Sequence, residues 1–484
     1  MGPMTGLVGQ RERTTVGGRT RPPAWAVLLV VCAGQFLVVL DVSVVNVALP
    51  SMRSALGLGQ TGQQWVVNAY ALTFAGFLLL GGRAADLFGR KRVFLTGLGL
   101  FTAASLAGGL ARDPGMLITA RAVQGLGSAV LAPTTLSILT TSFPEGSERT
   151  RAISTWTAVG AGGGAAGALV GGVLTDYLSW RWVLLVNVPV GALVLLGAAL
   201  WITESRGSAG RRLDVPGAVL VTGGVAALAY GIAESQSHGW SSVDSALPLA
   251  AGALLLVAFV LVEGRTAQPL MPLRLFRIRS VSAANTVLLA TGAAMFSTWY
   301  FLSLYMQNVL GYSPVQAGLA FLPHTLCIVV GSKLAPRLMG LVDARLVSAA
   351  GGAMAAAGLA WQSHLGVHSG YVAAIALPGM LTMLGAGMLM TPIAAAATSG
   401  VTMGEQGVVS GLLNTSRQLG GALGLTILAT AAVDRTASRA AGGASVPQAL
   451  TSGYSLAFLL GAAFIAAGSL LIALLPHPAP KPAA

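Results

Sequence analysis

With 484 residues, 54% hydrophobic and 9% charged, and a mean hydropathy of +0.75, the chain has too few charges to cover its apolar surface in water. Its net charge of +13 comes from 28 basic residues scattered in short stretches between apolar runs, with no continuous patch and interleaved aromatics to suit nucleic acid. No Gly-rich phosphate loop with its Lys and Ser/Thr is present, and the five histidines show no metal-ligand spacing, so ATP drive, metal chemistry and enzymatic activity are not expected.

A bilayer core takes about 20 apolar residues per spanning helix. After an Arg- and Gly-rich tail over residues 1–24, which lacks a small-residue cleavage site, such runs follow one another along the chain. Charge clusters and Gly/Pro breaks divide them into spans at 25–48, 63–82, 93–111, 115–140, 153–174, 182–202, 215–233, 247–263, 282–306, 315–334, 346–363, 371–396, 407–431 and 453–475. These fourteen spans predict an all-α polytopic membrane protein. With both termini cytoplasmic, 21 basic residues fall in inner segments, 5 in outer ones, and 2, Arg121 and Arg417, within spans. That asymmetry follows the positive-inside rule and fixes the expected orientation in the cytoplasmic membrane. Cys32 and Cys327 both lie in apolar runs and read as free, packed thiols.

Taken in chain order, span 1 closes on Leu40-Asp41-Val42-Ser43-Val44-Val45-Asn46-Val47-Ala48-Leu49-Pro50. Its Asp41 is the one acid placed deep in a span. A charge at the bilayer centre costs about 2.5 to 3.5 kcal/mol on insertion scales, so Asp41 must face protein or a wet cavity. Spans 2 and 3 are joined by the tight turn Gly82-Arg83-Ala84-Ala85-Asp86-Leu87-Phe88-Gly89-Arg90-Lys91-Arg92. Span 4 carries Arg121-Ala122-Val123-Gln124-Gly125-Leu126-Gly127, and span 5 carries Gly163-Gly164-Ala165-Ala166-Gly167-Ala168-Leu169-Val170-Gly171-Gly172. At a rise of 1.5 Å per residue, Asp41 sits about 24 Å from the inner end of span 1 and Arg121 about 9 Å from the outer end of span 4. In a core about 30 Å thick those depths nearly coincide.

The turn between spans 2 and 3 resembles the signature loop of the major facilitator superfamily. The end of span 1 resembles the signature of its fourteen-span drug:proton antiporter branch, and the Arg121 stretch resembles the superfamily's membrane-embedded arginine motif. The span 5 glycines resemble the antiporter motif, with Ala168 where that motif usually carries proline. The resemblance implies a major facilitator fold: two six-helix bundles, 25–202 and 281–476, with two inserted spans and a cytoplasmic linker over 203–280 and a short tail at 477–484. It also implies alternating access around a central cavity. Lys333, Arg337, Asp343 and Arg345 after span 10 repeat the Asp86 loop in degenerate form, and Gly420, Gly421 and Gly424 of span 13 repeat the span 5 cluster.

On this reading Asp41 and Arg121 are the proton-coupling pair, with a static ion pair between helices as the competing role. Gly82, Asp86, Gly89 and Arg90 are a conformational latch or a plain positive-inside turn. Gly163, Gly164, Gly167, Gly171 and Gly172 form the moving-helix motif. Gln64, Asn68, Gln124, Trp299, Tyr300, Met388, Asn414 and Arg417 are candidates to line a substrate cavity, with helix-bridging polar contacts and interfacial aromatics as the competing readings. The expected function is proton-driven export of a small hydrophobic drug or antibiotic by a monomer that needs no cofactor, with neither metal nor nucleic acid as a partner. A dedicated metabolite exporter and a proton-coupled nutrient symporter are the alternatives.

Overall fold

The computed structural model describes residues 23–144, 146–205, 214–266, 269–399, 401 and 406–473. Of the predicted tails, all of 477–484 and all of 1–24 except Pro23 and Ala24 lie outside them, as does the basic stretch 206–213 of the predicted linker. The described residues are helical: α1 (Ala24–Leu56), α2 (Gln60–Phe88), α3 (Arg90–Gly109), α4 (Pro114–Ser142), α5 (Ser147–Tyr177), α6 (Trp182–Leu185), α7 (Asn187–Trp201), α8 (Val215–His238) and α9 (Val243–Arg265). A 3-10 turn at Leu273–Arg277 leads to α10 (Arg279–Asn308), α11 (Pro314–Ala320), α12 (Leu322–Met339) and α13 (Ala344–Gln362). A π turn at Val372–Ala376 opens α14 (Leu377–Ser399), followed by α15 (Gln406–Ala441) and α16 (Val446–Ala473).

Proline and its neighbours punctuate these helices. Asp113 caps α4 ahead of Pro114 by accepting from the Met116 amide at 2.9 Å, and Ser313 with Gln316 forms a capping box around Pro314 of α11. Span 6 is divided at Val186, two residues before Pro189 is reached, and span 10 is divided at Phe321, just before Pro323 near the start of α12. Twelve of the fourteen predicted spans are long and apolar enough to cross a membrane by composition. The other two correspond to α13 and α15, which have the length but are diluted by glycine, threonine and charge, among them Arg345 and Arg417.

The span ends differ from expectation in two places. Helix α1 continues through Pro50 to Leu56, so Arg53 is helical, and α15 carries Arg435 and Arg439 well past residue 431. Pro50 has no N–H, so the Asn46 carbonyl loses its helical donor. Ser303 on α10 replaces it, donating from Oγ to Asn46 O at 3.0 Å, and Gln307 Nε2 donates to the next carbonyl, Val47, also at 3.0 Å.

Packing repeats between the two halves of the chain. In the first half α1 packs on α5 and α7, α2 on α4, and α3 on α4 and α7; in the second α10 packs on α15 and α16, α12 on α14, and α13 on α14 and α16. The contacts between halves are paired in the same way, α2 with α15 and α5 with α11. Even the glycine clusters correspond: Gly167 and Gly171 seat α5 on the backbone of α1, and Gly420 and Gly424 seat α15 on the backbone of α10. Helices α8 and α9 pair with each other, and α8 leans on α2 and α15, touching both halves.

Because Ser303 satisfies a carbonyl that Pro50 strips of its donor, Ser303→Ala is expected to destabilise the protein by about 1 kcal/mol. In a Pro50→Ala background, where the helix supplies its own donor, the same change should cost clearly less; thermal unfolding of the four proteins in one detergent measures the coupling.

Candidate functional site

The structure brings Asp41 and Arg121 together in a sealed cluster. Arg121 Nη1 donates to Asp41 Oδ2 at 2.6 Å, and the two side chains are 2% and 0% exposed. Two more donors complete the carboxylate: Gln124 Nε2 at 2.7 Å and Asn187 Nδ2 at 2.9 Å, both on Oδ1. The guanidinium is held from its other side. Its Nε donates to the Val66 carbonyl at 3.1 Å, and its plane lies over the Tyr70 ring at 4.4 Å, while Tyr70 donates its hydroxyl proton to Ser128 Oγ at 2.9 Å. Ser105 Oγ accepts from Gln124 Nε2 at 2.7 Å. Helices α1, α2, α3, α4 and α7 thus meet at one charge-neutral knot, in which the Asn187 side-chain oxygen is buried without a donor among the described residues.

Gln124 therefore belongs to this knot and not, as its polarity suggested, to a substrate cavity. Asn187 was the informative omission: an asparagine in the otherwise apolar start of span 6 is a signal that the residue is kept for a polar partner. Ser105 and Tyr70 gave no such signal, because serine and tyrosine are common in spans for packing reasons alone.

From Asp41 a continuous line of close contacts leads to the seam between the halves. Leu40 and Ser43, on either side of Asp41, press against Gly167 so closely that a methyl group there would lie 2.8 Å from the Leu40 carbonyl and 2.7 Å from Ser43 Cβ. Ser43 Oγ donates to the Gly164 carbonyl at 2.7 Å, and α5 runs unbroken through Ala168. One turn further on, Gly172 meets the backbone of Pro314 and Val315, and Gly318 of α11 in turn meets the Ala168 carbonyl. Asp176 Oδ2 accepts from the Val315 amide at 3.2 Å, and with the Ser303 and Gln307 bonds this closes the face opposite Asp86. Gly163 faces α1 at Phe36 and Val39, and Gly164 has only the Val39 side chain near it.

The Asp86 turn sits at the other face. Asp86 Oδ1 accepts from Arg90 Nη2 at 2.9 Å, and Arg90 Nε donates to Ser137 Oγ of α4 at 2.6 Å. Gly89 has φ +102°, a left-handed value that lets the chain turn between α2 and α3, and Gly82 packs on Pro133 of α4. Glu204 at the end of α7 caps α3, accepting from the Lys91 and Arg92 amides at 3.1 and 3.2 Å. The turn is thus bound to its own half. On this face α4 and α14 are not packed together, and Leu136 of α4 and Ala394 and Ala395 of α14 are exposed.

The remaining cavity candidates divide. Asn68 Nδ2 donates to Thr426 Oγ1 across the halves at 2.8 Å. Gln64 and Tyr300 line a cavity of ≈ 30 Å³ with Arg53 and Tyr454 at the closed face, room for about one water rather than a drug. Trp299 lies against the Phe321 ring at 4.5 Å. Met388, expected in the cavity, is instead 6% exposed and packed among α12, α13 and α14 with Ala335 and Val347, where glycines bring the helix backbones close. Arg417 and Asn414 remain half-buried on α15, joined by a 2.9 Å hydrogen bond from Arg417 Nη2.

A family model described as Major Facilitator Superfamily matches residues 31–425. The chain is 50% identical over 465 residues to the cephamycin export protein of Amycolatopsis lactamdurans, spanning 95% of this chain and 94% of that protein. It is 42% identical to the puromycin resistance protein of Streptomyces alboniger, over 94% and 91%. In fold it is similar to an auto-inhibited peptide transporter of the POT family, with a TM-score of 0.70 at 14% identity over 94% and 99% of the two chains. A bacterial homologue of the human lysosomal transporter Spinster, in an inward-facing and unoccupied conformation, gives 0.65 at 18% identity over 94% and 98%. With fourteen spans' worth of helices packed as two repeating halves, and with these matches over most of its length, the chain belongs to the major facilitator superfamily.

Proposed function

We propose that this protein is a monomeric proton-coupled antiporter of the cytoplasmic membrane, with both termini inside, that exports a small hydrophobic antibiotic by alternating access. Export is supported by the names of its relatives, which include cephamycin export and puromycin, lincomycin and tetracenomycin C resistance.

The observation that carries proton coupling is the buried carboxylate of Asp41 and the line of backbone contacts leading from it to the seam. In its charged form Asp41 is held by three donors from α4 and α7. A proton on Asp41 removes its attraction for Arg121 and puts a donor where a nitrogen of Arg121, Gln124 or Asn187 now donates. The protonated cluster is therefore a poorer fit to this packing. In the alternative packing α1 is shifted relative to α4, carrying α5 with it through Gly167 and Gly171 and loosening Gly172 from α11. With that face open, substrate leaves and Asp41 takes up a proton from the same side; reclosing brings the protonated cluster back to this poorer fit and the proton leaves at the Asp86 face, so proton and substrate move in opposite directions. The orientation that exports is the one with the Asp86 face cytoplasmic, as the basic residues indicate.

Asp41→Asn is expected to insert and fold but to abolish accumulation of antibiotic against its gradient in inverted vesicles; a variant that still concentrates substrate sinks the proton role. Arg121→Ala leaves a buried carboxylate unpaired, an effect of about 3 to 5 kcal/mol, and should be inactive and visibly less stable on heating. Gly318→Val should leave substrate binding intact yet stop turnover, because the seam with Ala168 can no longer close; binding and transport measured on the same preparation separate the two.

A further inference from the structure

A second cluster of buried acids lies outside this pathway, at the Asp86-face ends of the two inserted helices. Asp214, which caps α8 by accepting from the Gly217 amide at 2.9 Å, is 4% exposed, and Glu263 in the last turn of α9 is 2% exposed. The two carboxyl groups approach each other, and Glu263 Oε1 receives no hydrogen bond among the described residues. They flank Gly217 so tightly that a methyl group there would lie 2.8 Å from an oxygen of each. A proton held between them would give Glu263 Oε1 its missing partner, and at such range in a desolvated site two like charges repel strongly.

The other oxygens grip the chain that joins the halves. Leu270 donates its amide to Asp214 Oδ2 at 3.3 Å, and Met271 donates its amide to Glu263 Oε2 at 3.1 Å. One residue earlier, the Pro269 carbonyl accepts from Arg83 Nη2 on α2, at the start of the Asp86 turn. The elements around the pair bring up Arg83, Arg265 of α9, and Arg274 and Arg277 of the 3-10 turn. The charge acting on Glu263 is that of Asp214. The linker is thus fastened on one side to the acid pair and on the other to the first half of the protein.

We propose that Asp214 and Glu263 are a second proton-binding site, separate from Asp41, and that its bound proton clasps residues 269–271 over the ends of α8 and α9. With the proton in place the pair carries a single charge and accepts from both linker amides. As pH at the Asp86 face rises and the proton leaves, two adjacent buried anions repel, the carboxyls separate or draw in water, and the linker is released. The clasp therefore holds at low pH and opens at high pH.

The test uses the full-length protein in lipid nanodiscs, with substrate absent. Infrared difference spectra between neutral and alkaline pH should show loss of a protonated-carboxyl C=O band. That band should be absent in Glu263→Gln, whose amide donates permanently to Asp214. Hydrogen exchange at the Leu270 and Met271 amides, corrected for base catalysis, should become about tenfold faster over the same pH range in the wild type and stay slow throughout in Glu263→Gln. The proposal is overturned if the wild-type linker amides keep constant protection across that range, or if the protonated-carboxyl band persists unchanged in the variant. The infrared reading on the wild type does not depend on any variant folding.

Discussion

Everything in the first half of this transporter is arranged around the cost of keeping one carboxylate inside a membrane. Asp41 has no access to water, so its charge must be balanced by Arg121 and its lone pairs filled by Gln124 and Asn187. Those partners come from α4 and α7, and Tyr70 of α2 and Ser105 of α3 support Arg121 and Gln124 in turn, which is why five helices converge there. Such a cluster has no slack: a change in the charge of one member alters the fit of the others. This makes it well suited to couple a proton to a rigid-body movement, because neighbouring helices meet backbone to backbone and cannot absorb the change in soft side chains.

The second organising constraint is the duplication. A repeat built once and used twice gives α5 and α15 the same role, each riding by glycine on the first helix of its half. The second copy has lost the acid. Leu289 meets Gly420 as Leu40 meets Gly167, so Ala290 stands where α1 offers Asp41, and the polar contact of the α10–α15 seam, Asn285 with Ser416 at 2.7 Å, carries no titratable proton. The halves are therefore alike in packing and unlike in electrostatics, and a proton biases only one of them.

Much of this was legible in the chain. Apolar runs of membrane length placed the helices, and Asp41 and Arg121 could be paired from their matching depths and the helix neighbours that the family resemblance implies, since both are too costly to leave in lipid. Helix ends were less legible: hydropathy fades where α1 and α15 leave the bilayer, but their hydrogen bonding does not stop there. Met388 and Gln124 were misplaced for a common reason. A periodic pattern tells which residues share a helix face but not which neighbour that face meets, so a flexible apolar residue and a polar one looked like cavity lining when one is core and the other serves Asp41. The Asp214–Glu263 pair was invisible because its members stand 49 residues apart in a region that reads as loop and helix end.

Ala168 gives the hydrogen bond from Ser43 to the Gly164 carbonyl a meaning beyond this one protein. In an unbroken helix that carbonyl also receives the amide of residue 168, and a proline at 168 would withdraw it. Ser43 already supplies a donor from the neighbouring helix, so the carbonyl stays satisfied whichever residue is present. Alanine and proline can then exchange at this position over evolutionary time without stranding a polar group in the membrane. The lineage that gave rise to this chain could drift between a straight α5 and a kinked one along a nearly level path, changing how stiffly the helix transmits motion before committing to either.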